Sequence, residues 1–164
     1  MRLGPAGLKL ITEWEGFRAR AYQDVVGVWT IGYGTTAGAG VQVHPWSVCT
    51  EAQARAWVYE YCDRDVVPAI RAAFEARNHA HPHSGNPFPS QVAALCLAGY
   101  NLGPGIFDWG RSLGDAIRQG RDLQHIADAL MEYVYAGGNV LQGLVNRRND
   151  ERRLLLRDGR LARS

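Results

Sequence analysis

Glu15, Asp24 and Thr30 stand in a short stretch, EGFRARAYQDVVGVWTIGYGTT, that runs from Glu15 to Thr36. Two carboxylates and a hydroxyl in such a stretch can transfer protons and hold a water. Their local settings differ. Pro5 suits the first turn of a helix, where its missing N–H costs nothing, and Gly16 suits the stop. A helix over 5–16 then carries Leu8, Ile11 and Glu15 on one face. An acid beside Leu and Ile, at the negative end of its helix, is pushed toward its protonated form and a raised pKa. A general acid near neutral pH requires this. Asp24, bracketed by Gln23 and Gly27, reads as a wet turn residue that stays ionised. Two carboxyl groups driven toward different protonation states form the acid/base pair used in glycoside hydrolysis. Taken singly, a Glu at a helix end is usually solvated and an Asp in a turn usually only shapes it. The joint register carries the catalytic reading.

The order Glu15, Gly16, then Tyr22, Asp24, Gly27, then Thr30-Ile31-Gly32-Tyr33-Gly34 resembles the phage-type lysozymes, the endolysin muramidases. Weaker similarity runs to about residue 157. The resemblance implies that Glu15, Asp24 and Thr30 form a catalytic triad. It implies cleavage of the β-1,4 bond between N-acetylmuramic acid and N-acetylglucosamine in peptidoglycan, with inversion at the anomeric carbon. Inversion predicts roughly 6.5–9.5 Å between the two carboxyl groups, where about 5 Å would suit retention. The Asn101-Leu102-Gly103 segment resembles one that lies beside the family's cleft. Leu141 to Arg148 resembles the family's late GL-x-x-RR segment. Tyr33, Gly34, Asn101 and Gly103 are therefore candidate substrate contacts. Arg147 or Arg148 is a candidate partner for Glu15; the plainer role for both is pairing with Glu151 on their own helix.

At 164 residues the chain suits a single lysozyme-like domain, 1–164, long enough to bury about two-thirds of its unfolded surface. A hydrophobic content of 46% and a charged content of 21% exclude disordered and collagen-like classes. The net charge of +2 is unevenly spread: residues 145–164 hold seven arginines against Asp150, Glu151 and Asp158. A basic face suits an anionic cell wall; the alternative is a solvated helix with internal ion pairs. No recognition motif points to nucleic acid. Cys49, Cys62 and Cys96, odd in number and widely spaced, argue against a disulfide framework and read as small buried hydrophobes. Met1 to Pro5 shows no signal-peptide character, and no apolar run approaches the roughly 18 residues of a membrane span. The expectation is synthesis in the host bacterial cytoplasm and action on the wall after release, for which the resemblance implies a holin pore.

The elements that must position the site follow from punctuation and periodicity. Residues 17–46 read as a small β lobe, with strand-like runs over 18–22 and 28–33. Thr50-Glu51-Ala52-Gln53 is a capping box opening a helix with Ala54, Trp57, Val58 and Tyr61 at helical spacing. Pro68 should kink or end it near Val67. Residues 78–89 read as a loop, and the alternating His79, His81 and His83 lack the acidic or thiol partners of a metal site. Ser90 should cap the next helix, through Val92, Leu95, Cys96 and Gly99. Phe107 reads as core, with Trp109 left open. Further helices are expected over 113–120 and 123–135, the latter ended by Gly137-Gly138, before the basic helix.

These readings give an α+β, mostly helical fold. A small N-terminal β lobe (17–46) is joined by a long helix to a helical lobe (50–158) that also includes the first helix (5–16). The expected activity is that of an endolysin with no metal and no cofactor. Glu15 donates the proton to the leaving oxygen, and Asp24 with Thr30 positions the attacking water. The expected partner is peptidoglycan, with no nucleic acid, no stable membrane insertion, and a self-contained cleft that suits a monomer. Two rival readings are a wall-binding protein without useful turnover and a membrane-active C-terminal helix. The three leucines 154–156 form a cluster rather than the long apolar stripe that a membrane-active helix needs.

Overall fold

Helix α1 spans Pro5–Glu15 with Pro5 in its first turn, and Gly16, at φ 69°, donates its N–H to Thr12 O. The bracketing residues work as anticipated. The computed structural model describes residues 1–24, 26–82 and 85–161. Of the sequence features above, His83 and Arg163 lie outside the described residues.

A three-stranded antiparallel sheet follows in order β1 (Arg18–Gln23), β2 (Trp29–Gly32), β3 (Thr35–Thr36). Ile31 and Thr35 are buried, and a 3₁₀ turn over Ala37–Ala39 leaves the sheet. Helix α2 (Glu51–Tyr61) opens on the expected box: the Thr50 side chain accepts from Gln53 N, and the Gln53 side chain accepts from the Thr50 N–H. It packs against β2 and β3.

Pro68 does not stop the helical path. The chain widens into a π-turn over Cys62–Val66 and resumes as α3 (Val67–Ala80), with Pro68 in its first turn. Proline has no N–H to donate back one turn, and the wider turn supplies a register in which none is needed. α3 reaches Ala80, so Asn78 and His79 are helical rather than part of a loop. Its far end packs on α5. The α2–α3 run therefore touches the sheet at one end and the helical lobe at the other.

Helix α4 (Pro89–Leu102) is buried continuously from Ser90 to Gly99 and forms the centre of the helical lobe, against α1, α3 and α7. It begins one residue before the expected cap. Phe88 N–H donates to Gln91 Oε1 at 2.8 Å, and the Ser90 hydroxyl is spent on Asp158. Phe107 is fully buried, while Trp109 lies exposed under the Arg118 guanidinium. Helix α5 covers Ser112–Arg118.

Helix α6 (Leu123–Ala129) is shorter than anticipated and tightens into a 3₁₀ turn over Leu130–Glu132. Gly137-Gly138 ends no helix. At φ 58° and 80° the pair makes the tight turn between β4 (Tyr135–Ala136) and β5 (Asn139–Val140). Two consecutive positive φ values match the twist of a hairpin, and glycine adopts them without strain. Helix α7 (Gln142–Leu156) closes the chain against α4. The three cysteines are free and buried. Burial pushes the Cys96 thiol up to about 12. The result is a mostly helical α+β fold.

Candidate active site

Glu15 is the last residue of α1, with its side chain 19% exposed. Its Oε1 accepts from Arg147 Nη2 at 2.7 Å. Its other oxygen, Oε2, faces the turn between β2 and β3. A Cβ added at Gly34 would lie 3.4 Å from it. Gly34 has φ 81°, which other residues rarely adopt. Glycine here meets both demands, the backbone conformation and the close approach to the carboxylate.

Asp24 is half-buried at the turn between β1 and β2. Its Oδ1 accepts from the N–H groups of Val26 and Val28, both at 2.9 Å, and its own N–H donates to Val28 O at 3.0 Å. Gln23 Nε2 closes the same turn on Gly27 O at 3.0 Å. The carboxylate is thus oriented by backbone within four residues. Thr30 is buried on β2, and its hydroxyl donates to Val28 O at 3.0 Å. The oxygen's lone pairs remain available to a water. Thr30 lies opposite Tyr22 on one side and Thr36 on the other.

Thr36 and Gly34 line a recess of about 220 Å³ with Gly38, Ala39, Tyr61 and Tyr100. One wall comes from the sheet and its 3₁₀ turn, the other from the end of α2 and from α4. Glu15 adjoins the rim at Gly34. Tyr100 donates its hydroxyl to Tyr33 O at 2.7 Å, and burial pushes that hydroxyl well above its ordinary range. Tyr61 meets the Tyr100 ring edge-on at 5.6 Å. A roomier recess of about 820 Å³ lies among Met1, Arg71, Phe74 and Pro89, and no candidate site residue lines it.

The weaker candidates separate. Gly34 lines the recess. The Tyr33 side chain turns away into the α2 side, donating to Glu51 Oε1 at 2.7 Å. Asn101 Oδ1 accepts from Arg148 Nη2 at 2.9 Å, and Gly103, at φ 85°, caps α4. Of the two arginines, Arg147 reaches Glu15, whereas Arg148 turns to Glu151 at 2.8 Å. Arg147 also lies 3.5 Å from Glu151, so it fills both roles considered for it. Glu151 is fully buried. Burial raises its pKa to about 7, against the opposing pull of Arg148 and Arg147.

Sequence reasoning passed over Tyr61, Tyr100, Thr36 and the burial of Glu151. Tyr61 fitted a core stripe, and Tyr100 stood beside the more conspicuous Asn101. The available signal was two tyrosines at helix ends, where an aromatic ring can border a cleft. In the basic tail, Arg152 pairs with Asp128, and Arg153 pairs with Asp150 at 2.9 Å. Much of its charge is therefore internally matched.

A sequence profile of the phage lysozyme family matches residues 12–151. The SAR-endolysin of bacteriophage PS119 is 34% identical over 143 residues, covering 87% of this chain and 76% of that protein. Among solved structures, a P22 lysozyme mutant superposes with a TM-score of 0.76 at 26% identity, covering 95% of this chain and 99% of the other. The muramidase domain of SpmX from Asticaccaulis excentricus gives 0.67 at 27%, covering 94% and 97%.

Proposed function

This chain belongs to the phage lysozyme family, and from that premise we propose how it works as a peptidoglycan-degrading glycoside hydrolase. Glu15 protonates the leaving glycosidic oxygen. Asp24 and Thr30 hold and activate the attacking water. The bond cut is the β-1,4 linkage between N-acetylmuramic acid and N-acetylglucosamine, with inversion at the anomeric carbon. No metal or cofactor takes part, because side chains carry both proton transfers.

The observation that carries the reading is the seating of Glu15. A long-range arginine contact orients its carboxyl at 2.7 Å and turns the second oxygen onto the Gly34 turn at the recess rim. Asp24 and Thr30 come from the hairpin that leads into that same turn. Gly34 is the substrate-facing member of the weaker set; Tyr33 is buried, Asn101 is engaged by Arg148, and Gly103 ends α4.

Loss of turbidity of outer-membrane-permeabilised cells tests the assignment. Equal clearing by Glu15→Gln and wild type would remove Glu15 from the mechanism. Product analysis tests the stereochemistry. Inversion should release the α-anomer first, and an anhydro-sugar product would replace hydrolysis by transglycosylation.

We place the action at the wall, after the protein leaves the host cytoplasm. Relatives include proteins named SAR-endolysin, and no helix among the described residues is long and apolar enough to cross a membrane. Expression of this chain alone tests the release route. Lysis that needs a co-expressed pore supports the holin route, and lysis without one overturns it.

A further inference from the structure

The proposed chemistry leaves the outer edge of the N-terminal sheet unused. On the edge away from β2, β1 pairs with the segment leading into α2. Arg20 stands opposite Val48. Ala21 N–H donates to Ser47 O at 3.0 Å, and Cys49 N–H to Ala19 O at 2.9 Å. Opposed residues share a face, and side chains alternate along each strand. Ile31, Thr35 and Cys49 are buried on one side. Arg20 and Val48, opposed across the bridge, and Trp46, in the turn just before it, are exposed, and the Arg18 guanidinium lies 4.4 Å above the Tyr22 ring. Tyr22 stands opposite Thr30, and Thr30 opposite Thr36, which lines the recess beside Glu15; the β1 register shifts between Arg18 and Tyr22.

The composition of this edge is unusual for a solvated sheet. Trp46 is 77% exposed and Val48 64%. The His44 ring stacks on Trp46 at 5.1 Å and 11°, covering one face of the indole. Seven arginines elsewhere have a carboxylate partner. Arg18 and Arg20 are among the other arginines, which have no such partner among the described residues. A flat exposed aromatic offers a stacking surface to the apolar side of a sugar ring. Unpaired guanidinium forks match carboxylates.

We propose that this edge binds the peptide-substituted glycan strand alongside the cut site. A sugar ring lies on Trp46, and carboxylates of the peptide stem meet Arg18 and Arg20. The inference rests on the peptidoglycan reading above and adds the part of the polymer that is recognised. Charge complementarity of this exposed kind sets encounter and preference more than turnover. The effect therefore belongs in KM.

Two substrates separate the possibilities: intact sacculi, and sacculi stripped of their stems by an amidase. Wild type should show the lower KM on intact sacculi. The double charge reversal Arg18→Glu/Arg20→Glu should remove about fivefold of that preference, with kcat held, as expected for two exposed charge contacts. Trp46→Ala should raise KM on both substrates. Matching thermal melts of the variants and wild type exclude unfolding as the cause. Unchanged KM values on intact sacculi in both variants, or equal effects of the charge reversal on the two substrates, would overturn the proposal. So would loss of co-sedimentation with phosphatidylglycerol vesicles at unchanged KM, which would assign the edge to lipid. If wild type cleaves neither substrate, the hydrolase reading fails first and this proposal with it.

Discussion

At Glu15 the charged partner is Arg147, 132 residues away along the chain. At Asp24 the partners are the N–H groups of Val26 and Val28, two and four residues away. The Glu15 contact belongs to a buried cluster in which Arg147 and Arg148 share Glu151, and Arg148 also reaches Asn101. The Asp24 contact is an isolated turn at the sheet edge. Buried ions are costly unless matched, so breaking such a cluster exposes the desolvation cost of whatever remains. A turn that satisfies its own carboxylate owes little to the rest of the fold. Removal of the fully buried Glu151 carboxyl should therefore register in stability, and loss of the charge at Asp24 or at the more exposed Glu15 in activity.

The largest effect expected is on turnover. Glu15→Gln should lower kcat by about 10²–10⁴-fold, the usual worth of a positioned general acid. Its melting temperature should stay close to wild type, because the amide oxygen can still accept from Arg147. Steady-state kinetics and a melt on one preparation check both halves. Next is Glu151→Ala, which strips two buried guanidiniums of their shared carboxylate. It should cost about 3–5 kcal/mol in denaturant unfolding. A loss under about 1 kcal/mol would break the contrast between the two regions.

The pH dependence sharpens the contrast. Glu151 is raised from 4.5 to about 7 by burial. Below pH 4.5 it is protonated in both folded and unfolded chains. Between pH 4.5 and 7 the unfolded chain ionises first while the folded one keeps its proton, so stability falls as pH rises. The fall is complete above about pH 7 and amounts to at most ~3 kcal/mol. Glu151→Gln should match wild type near pH 4 and lack this decline, which melts from pH 4 to 8 would show. Asp24→Asn should leave stability within about 1 kcal/mol while lowering kcat. The smallest effect is Thr50→Ala, which removes the cap of α2 for about 1 kcal/mol.

What could be read in the sequence was local. Pro5 and Gly16 bracket α1, and Thr50 with Gln53 opens α2, because each acts on backbone groups within one turn. The register of Glu15, Asp24 and Thr30 was legible in the same way, since a helix end, a turn and a strand follow one another without interruption. Pro68 does mark a break in the α-helix near Val67, but a π-turn carries the helical path through it. Gly137-Gly138 misled because a helix stop and a hairpin turn both need positive φ. Ser90 looked like a cap, yet its hydroxyl goes to Asp158, 68 residues on.

The sequence by itself determined much of the short-range geometry: which residues bracket α1 and open α2, and where Glu15, Asp24 and Thr30 fall along the chain. The tertiary structure alone decided which arginine meets Glu15, that Glu151 is buried between two guanidiniums, and that Tyr61 and Tyr100 border the recess. These outcomes depend on how α1, α4 and α7 pack. Packing brings together groups a hundred residues apart, and no rule confined to neighbouring residues can rank such pairings.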